Sequence, residues 1–281
     1  AVRGTGILSV ILPSLRVAVF LTLGIGILLP GRALAQGEGP KTYQPAPDGT
    51  NVFVVTYMNL STNMNFNQSV ILRDANININ LVVPTYKHFF SVGGHLAEFA
   101  VSPIMGTLDG SVAVANREIN VPRQTGFFDS YVGVRVGLYG APALKLPEFM
   151  KHKQGLQIYS IFGTYLPVGK YDSSNPVNLG TNRWTFRTGA AFVKPFGKPT
   201  RPVALEVVPT ISFFTANNDP FGPALETTQK PLFQIENHVS YNLTKKFWGS
   251  LDARYQVGAE TETDGVNQDN TLNQLGGGFT G

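Results

Sequence analysis

The sequence predicts an all-β protein, an antiparallel transmembrane β-barrel of the outer-membrane kind, with about ten strands present. Three observations carry this reading. Apolar and polar residues alternate with period two, the alternating segments run mostly 10 to 14 residues, and long connections alternate with short ones. Period two places successive side chains on opposite faces of a strand. Globular strands are commonly about 5–6 residues long, whereas a tilted membrane-crossing strand needs about 9–11. Outer-membrane barrels pair short periplasmic turns with longer external loops.

The first element is an address. Arg3 and Arg16 flank the apolar run Val17–Leu29, and Arg32-Ala-Leu-Ala-Gln36 follows. A basic flank, an apolar run of about 7–15 residues and a small-x-small site mark a secretory signal peptide, here cleaved after Ala35. The run is short for a membrane-spanning helix of about 20 residues. Residues 1–35 are therefore expected to be a signal peptide, 36–50 a periplasmic N-terminal segment, and 51–281 the barrel.

The clearest strand is Asn76-Ile-Asn-Ile-Asn-Leu81. Ala75, Ile77, Ile79, Leu81 and Val83 share one face and are expected to point outward to lipid. Asp74, Asn76, Asn78 and Asn80 are expected to point inward. The same alternation marks 126–139, 182–195, 202–215, 232–243 and 246–258, with weaker strands at 51–60, 92–103 and 156–166. A tenth begins near Thr271. The connections 61–71, 104–125, 167–181, 216–231 and 259–270 are long and read as external. Those at 84–91, 140–155, 196–201 and 244–245 read as periplasmic, and Leu146–His152 has the character of a helical turn. Aromatics near strand ends, such as Phe127, Phe128, Trp184 and Phe247, suit an interfacial girdle.

On the polar faces lie Arg135, Arg183, Arg187, Glu206, Glu236, Asp252 and Arg254. They are the candidate lumen-lining residues, where walls of mixed sign tune permeation. The alternative is that they pair into salt bridges that fill and rigidify the barrel. An Arg placed at Val134 is expected to be costly, and a Ser placed at Arg135 tolerated.

Other chemistry is excluded or unsupported. There is no cysteine, so disulfide and thiolate chemistry are out. Net charge is +4, but residues 1–35 hold three arginines and no acid, leaving 19 basic against 18 acidic residues, without a nucleic-acid footprint. His88, His95, His152 and His238 lack metal-ligand spacing and read as loop or lumen residues. No Gly-x-Ser-x-Gly elbow occurs. Gly163–Lys170 misses the phosphate-loop spacing, and Tyr171 stands where Ser or Thr should hold magnesium. No cofactor and no catalytic residue is expected; the expected partners are membrane lipid and a small solute.

Several motifs carry a resemblance. Gly39-Pro-Lys-Thr-Tyr43 with Asp48-Gly-Thr-Asn51, Tyr139-Gly-Ala-Pro-Ala-Leu144 with Glu148-Phe149, Pro167-Val-Gly-Lys-Tyr171 with Asn178–Trp184, Phe213–Asp219 and Ser250–Tyr255 occur in that order. The chain from Gly39 onward resembles the outer-membrane proteins named for the MetA pathway of phenol degradation. The resemblance implies a bacterial outer-membrane barrel passing small, often aromatic or hydrophobic, compounds into the periplasm, with no catalytic residues. It also implies about twelve strands in the complete protein, so that the chain, ending in Gly276-Gly-Gly-Phe-Thr-Gly281, is expected to be truncated. The alternatives are a plugged structural barrel without transport, or a barrel-borne hydrolase.

Overall fold

The structure is a computed structural model that describes residues 39–62, 75–114, 117–198, 201–244 and 247–281, with three short backbone pieces nearer the N-terminus. Those pieces are β1 (Gly6–Leu8), β2 (Val17–Ala18) and β3 (Thr22–Leu23). The rest of the expected signal peptide, 1–35, lies outside the described residues, as do Asp74 and most of the connection 61–71.

The long strands follow: β4 (Asn51–Thr62), β5 (Asn76–Val92), β6 (His95–Ser102), β7 (Met105–Val114), β8 (Arg117–Phe127), β9 (Ser130–Tyr139), β10 (Gln157–Leu166), β11 (Thr185–Lys198) and β12 (Arg201–Phe214). After the short β13 (Thr227–Gln229) come β14 (Leu232–Asn242) and β15 (Trp248–Gly258). The short β16 (Thr261–Thr263) and β17 (Val266–Asn267) precede β18 (Leu272–Thr280). A fifteen-stranded sheet runs in the order β18-β15-β14-β12-β11-β10-β9-β6-β5-β4-β1-β3, with β7 on β5, β8 on β7 and β2 on β4. Every pairing but β2 on β4 is antiparallel. β13, β16 and β17 form a small separate sheet across two of the long connections.

Two elements differ from the sequence reading. The segment 104–125, expected as an external connection, is mostly the hairpin β7–β8. It escapes a simple alternation test because its inward positions on β7 include Gly106 and Gly110. These glycines have a packing reason: a Cβ at either would lie 1.9 or 2.0 Å from a carbonyl oxygen of β5. The second difference is β5 itself, which takes in 84–91, expected as a periplasmic connection. It is 17 residues long because it carries two partners in succession, β7 along 76–82 and β6 along 86–92. At its end, Gly93 and Gly94 both take positive φ, as the tightest hairpin turns require.

The sheet is strongly curled. β5 and β15 stand seven places apart in the strand order, about 34 Å if the sheet were flat. Yet adjacent residues bridge them: Lys41 Nζ lies 4.2 Å from the Trp248 ring centre, and Lys87 Nζ donates to the Thr42 carbonyl at 3.3 Å. Only a sheet wrapped around residues 39–50 permits both contacts. Among the described residues β4 and β18 share no ladder, and the free edge of β4 is taken by β1 and β2.

The connections lie at two ends. At the short-turn end, β5 meets β6, β11 meets β12, and β14 meets β15; there too is the 140–156 connection with its helix α1 (Leu146–Lys151), a single turn begun with Pro147. At the long-loop end are the β7–β8 hairpin and the connections after β10, β12 and β15.

Candidate functional site

Along most of the sheet the usual arrangement is inverted. Phe53, Phe99, Leu138, Phe162, Phe192, Leu251 and Phe279 are exposed, while Glu98, Arg135, Arg187, Glu206, Glu236, Asp252 and Arg254 are buried. A water-soluble sheet buries apolar area and leaves charges wet, since an unpaired buried charge costs several kcal/mol. Here the concave face collects the charges, and the convex face presents Val, Leu, Ile and Phe.

The inversion stops within β5. Its outward residues change from Val82, Pro84 and Tyr86 to Asn76, Asn78 and Asn80 toward the long-loop end. Its inward residues change from Thr85 and Lys87 to Ile77, Ile79, Leu81 and Val83. The expectation that 75–83 present their apolar side outward is therefore overturned. Ile77, Ile79 and Leu81 have no exposed surface and pack with Leu60, Leu108, Val121 and Phe128, while Asn76 and Asn78 are exposed. Alternation defines two faces and leaves open which one is buried; the neighbours β7 and β8 decide it.

The connection 167–181 closes over this packed apolar cluster. It delivers Val177 and Leu179 to the cluster. Gln124 Nε2 donates to the Val177 carbonyl at 2.7 Å, and the Lys170 amide to that of Phe127 at 2.9 Å. Asp129, between β8 and β9, accepts from the Gly169 amide (3.1 Å), the Thr181 amide (2.8 Å) and the Thr181 hydroxyl (2.6 Å). Burial nevertheless pushes its carboxyl pKa up. Gly169 and Gly180 cross so closely that a Cβ on the former would sit 2.5 Å from the latter's Cα. Gly163–Lys170 is thus a strand end and the start of this cover, with no phosphate-loop geometry.

The buried charges form three groups. Arg183 lies at the long-loop end, before β11 begins, within electrostatic reach of Asp129, with its guanidinium 4.8 Å from the Phe214 ring and bonded to Gln229. On β14 and β15, Glu236 lies directly across from Arg254 and His238 across from Asp252. Arg254 Nε is 3.3 Å from Glu236, His238 Nδ1 2.8 Å from Asp252, and His238 Nε2 3.5 Å from Glu236. Arg187 of β11 adds a second positive charge beside Glu236. Ser250 Oγ donates to Asp252 at 2.7 Å, and the other nitrogen of His238 faces a carboxylate, so this cluster offers no nucleophile–base pair.

The third group surrounds residues 39–50. Arg135 and Glu98 face each other across β9 and β6 and pair at 2.7 Å. Lys87 meets the same carboxylate at 3.2 Å. Arg135 also donates to the Gln44 carbonyl at 3.0 Å, and its guanidinium lies 5.4, 5.6 and 4.7 Å from the rings of Tyr43, Phe89 and Tyr159. Glu206 accepts the Lys41 amide at 2.6 Å, and Lys41 Nζ donates to Asn242 Oδ1 at 2.7 Å. Residues 39–44, expected as part of a periplasmic segment, thus lie against the concave face.

All seven candidates are buried; cross-strand register sets Arg135 opposite Glu98, which sequence reasoning passed over as it did Lys87, and sets Glu206 and Asp252 opposite His238, read there as a loop or lumen residue. Glu98 escaped notice because its strand alternates weakly, with Ala97 and Ala100 beside it. His88 lies on the opposite, outward face, bonded to Asn51 at 2.8 Å.

The chain matches the model of the family described as "Putative MetA-pathway of phenol degradation" over residues 48–280. It is similar in fold to an outer membrane channel from Pseudomonas putida F1, known from a crystal structure. The TM-score is 0.66 at 20% sequence identity, covering 84% of this chain and 83% of that one. No curated protein matches the chain in sequence.

Proposed function

The chain belongs to the family of the MetA pathway of phenol degradation, and we propose that it is an outer-membrane channel through which small organic solutes, aromatic or hydrophobic ones among them, diffuse passively into the periplasm. The observation that carries this reading is the inverted face chemistry, apolar outside and charged inside, over strands long enough to cross lipid. Lipid cannot satisfy open strand edges, so the curled sheet is read as a barrel in the membrane. The level on β5 where the outward face turns from Val82 to Asn80 marks the outer lipid boundary. The long connections and the β7–β8 hairpin then stand outside the cell, and the short turns face the periplasm after removal of residues 1–35. A solute would meet the apolar cluster under the 167–181 cover first, then the charged wall of Arg135, Arg187, Glu206, Glu236, Asp252 and Arg254, with Arg183 at the entrance.

One observation favours a second reading. The interior is occupied by ion pairs and by residues 39–44, as a plugged structural barrel would be. Uptake of 4-hydroxybenzoate by liposomes separates the two, because its charge keeps it from crossing lipid unaided. Liposomes carrying the protein should take it up faster than protein-free ones. Equal rates would refute transport and leave the plugged barrel.

A further inference from the structure

The N-terminal segment enters the interior with an aromatic ring foremost. Tyr43 is 4% exposed and packs with Ala141, Ile161, Ala191, Val193 and Val208 at the level of Tyr159. The two alanines leave the space that a ring needs. The Arg135 guanidinium stands 5.4 Å from that ring, and its Nη1 is buried with no hydrogen-bond partner among the described residues. An aromatic ring beside a guanidinium with a donor to spare is a site suited to a ring bearing an oxygen acceptor.

The backbone around Tyr43 is held in an unusual way for a segment inside a sheet. Side chains grip it: Glu206 takes the Lys41 amide, Lys87 donates to the Thr42 carbonyl, and Arg135 donates to that of Gln44. Carbonyls on cations and an amide on a carboxylate are contacts that a polar solute can replace one for one. Main-chain bonds to its surroundings resume at Asp48 and Gly49, which bond to Leu144 and Phe89. Gly49 has φ of +84°, a conformation that glycine reaches without strain, and so offers a pivot.

We propose that the pocket holding Tyr43 is the solute-binding site of the interior, that it takes a small phenol or aromatic carboxylate, and that Tyr43 occupies it as an intramolecular competitor. This rests on the transport reading above but adds to it a specific site and a self-occupied resting state. A ligand whose site is free only part of the time binds more weakly in proportion to that fraction. A tethered ring competes at a high effective concentration, commonly in the millimolar range for a short flexible tether. Removing the Tyr43 ring should therefore strengthen binding of a free one.

The chain holds a reporter for this. It has two tryptophans, and Lys41 of the same segment lies over one of them, Trp248. In the W184F protein, refolded in detergent, Trp248 emission is followed against p-cresol, the side chain of tyrosine as a free molecule. Relative to W184F alone, adding Y43A should tighten p-cresol binding about tenfold or more, while Y43F should leave it unchanged. Adding A191L to Y43A should abolish the gain by filling the pocket. Heat-modifiable mobility on a gel verifies folding of each variant. If Y43A does not fold, K41A, which loosens the segment and keeps the pocket wall, replaces it with the same expected direction. Equal affinity with and without Tyr43, or a gain that survives A191L, overturns the proposal. Uptake of 4-hydroxybenzoate without these binding changes would overturn this site alone, and the binding changes without uptake would overturn the transport reading alone.

Discussion

Replacing Arg135 with Ser is expected to destabilise the protein severely, against the tolerance that the sequence suggests. Arg135 pairs with Glu98 at 2.7 Å, and both are nearly out of solvent, at 4% and 5% exposure. Removing one member of a buried pair leaves the other as an uncompensated charge, at about 3–5 kcal/mol. Lys87 keeps a contact with the second carboxylate oxygen at 3.2 Å, which places the expected loss near the lower end, about 3 kcal/mol. Equilibrium unfolding in guanidinium from lipid vesicles, followed by tryptophan emission, reads the loss as a lower midpoint at unchanged slope. The pairing argument has its own control. In R135S with E98Q no lone carboxylate remains, so much of the stability should return. If the double variant is no more stable than R135S, the loss comes from packing against Tyr43, Phe89 and Tyr159, and the ion-pair account is refuted.

Further expectations follow from the same faces. V134R puts a charge on the convex side between Phe99 and Phe162, roughly 13 and 17 Å from the two ends of β9, near the middle of the proposed lipid band. It should cost about 2–4 kcal/mol in vesicle unfolding, and a wild-type midpoint would sink the assignment of that side to lipid. In N78C and I79C, a membrane-impermeant thiol reagent should label N78C rapidly and I79C slowly; labelling of I79C as fast as N78C would show that Ile79 is not packed in the inward apolar cluster. D129A should release the 167–181 cover, because each orphaned buried donor costs about 1–3 kcal/mol. Trypsin should then cut at Lys170 in the variant and spare the wild type, and equal resistance would show that Asp129 does not hold the cover.

The all-β, antiparallel character of the chain was legible from residues alone, because period two leaves a direct trace in the order of side chains, whereas the expected ten strands are fifteen in the sheet. From the sequence come the strands near 126–139, 202–215, 232–243 and 246–258, the helical turn after Leu146, and the placing of Arg135, Glu206, Glu236, Asp252 and Arg254 opposite the apolar stripes. What alternation cannot encode is which stripe is covered. Ile77, Ile79 and Leu81 look like the outward stripes of other strands, yet they turn inward to pack with Leu108 of β7 and Val121 of β8. β7 escaped notice since Gly106 and Gly110 replace inward apolar residues to admit the β5 backbone. Partnership among charges was equally hidden. Glu98 meets Arg135, and His238 meets Asp252, through register, which depends on turns and bulges rather than on either strand's own sequence. The entry of Tyr43 into the interior is further still from local pattern. It joins residue 43 to residues 135, 159 and 191, and only the curl of the whole sheet brings those positions around one ring.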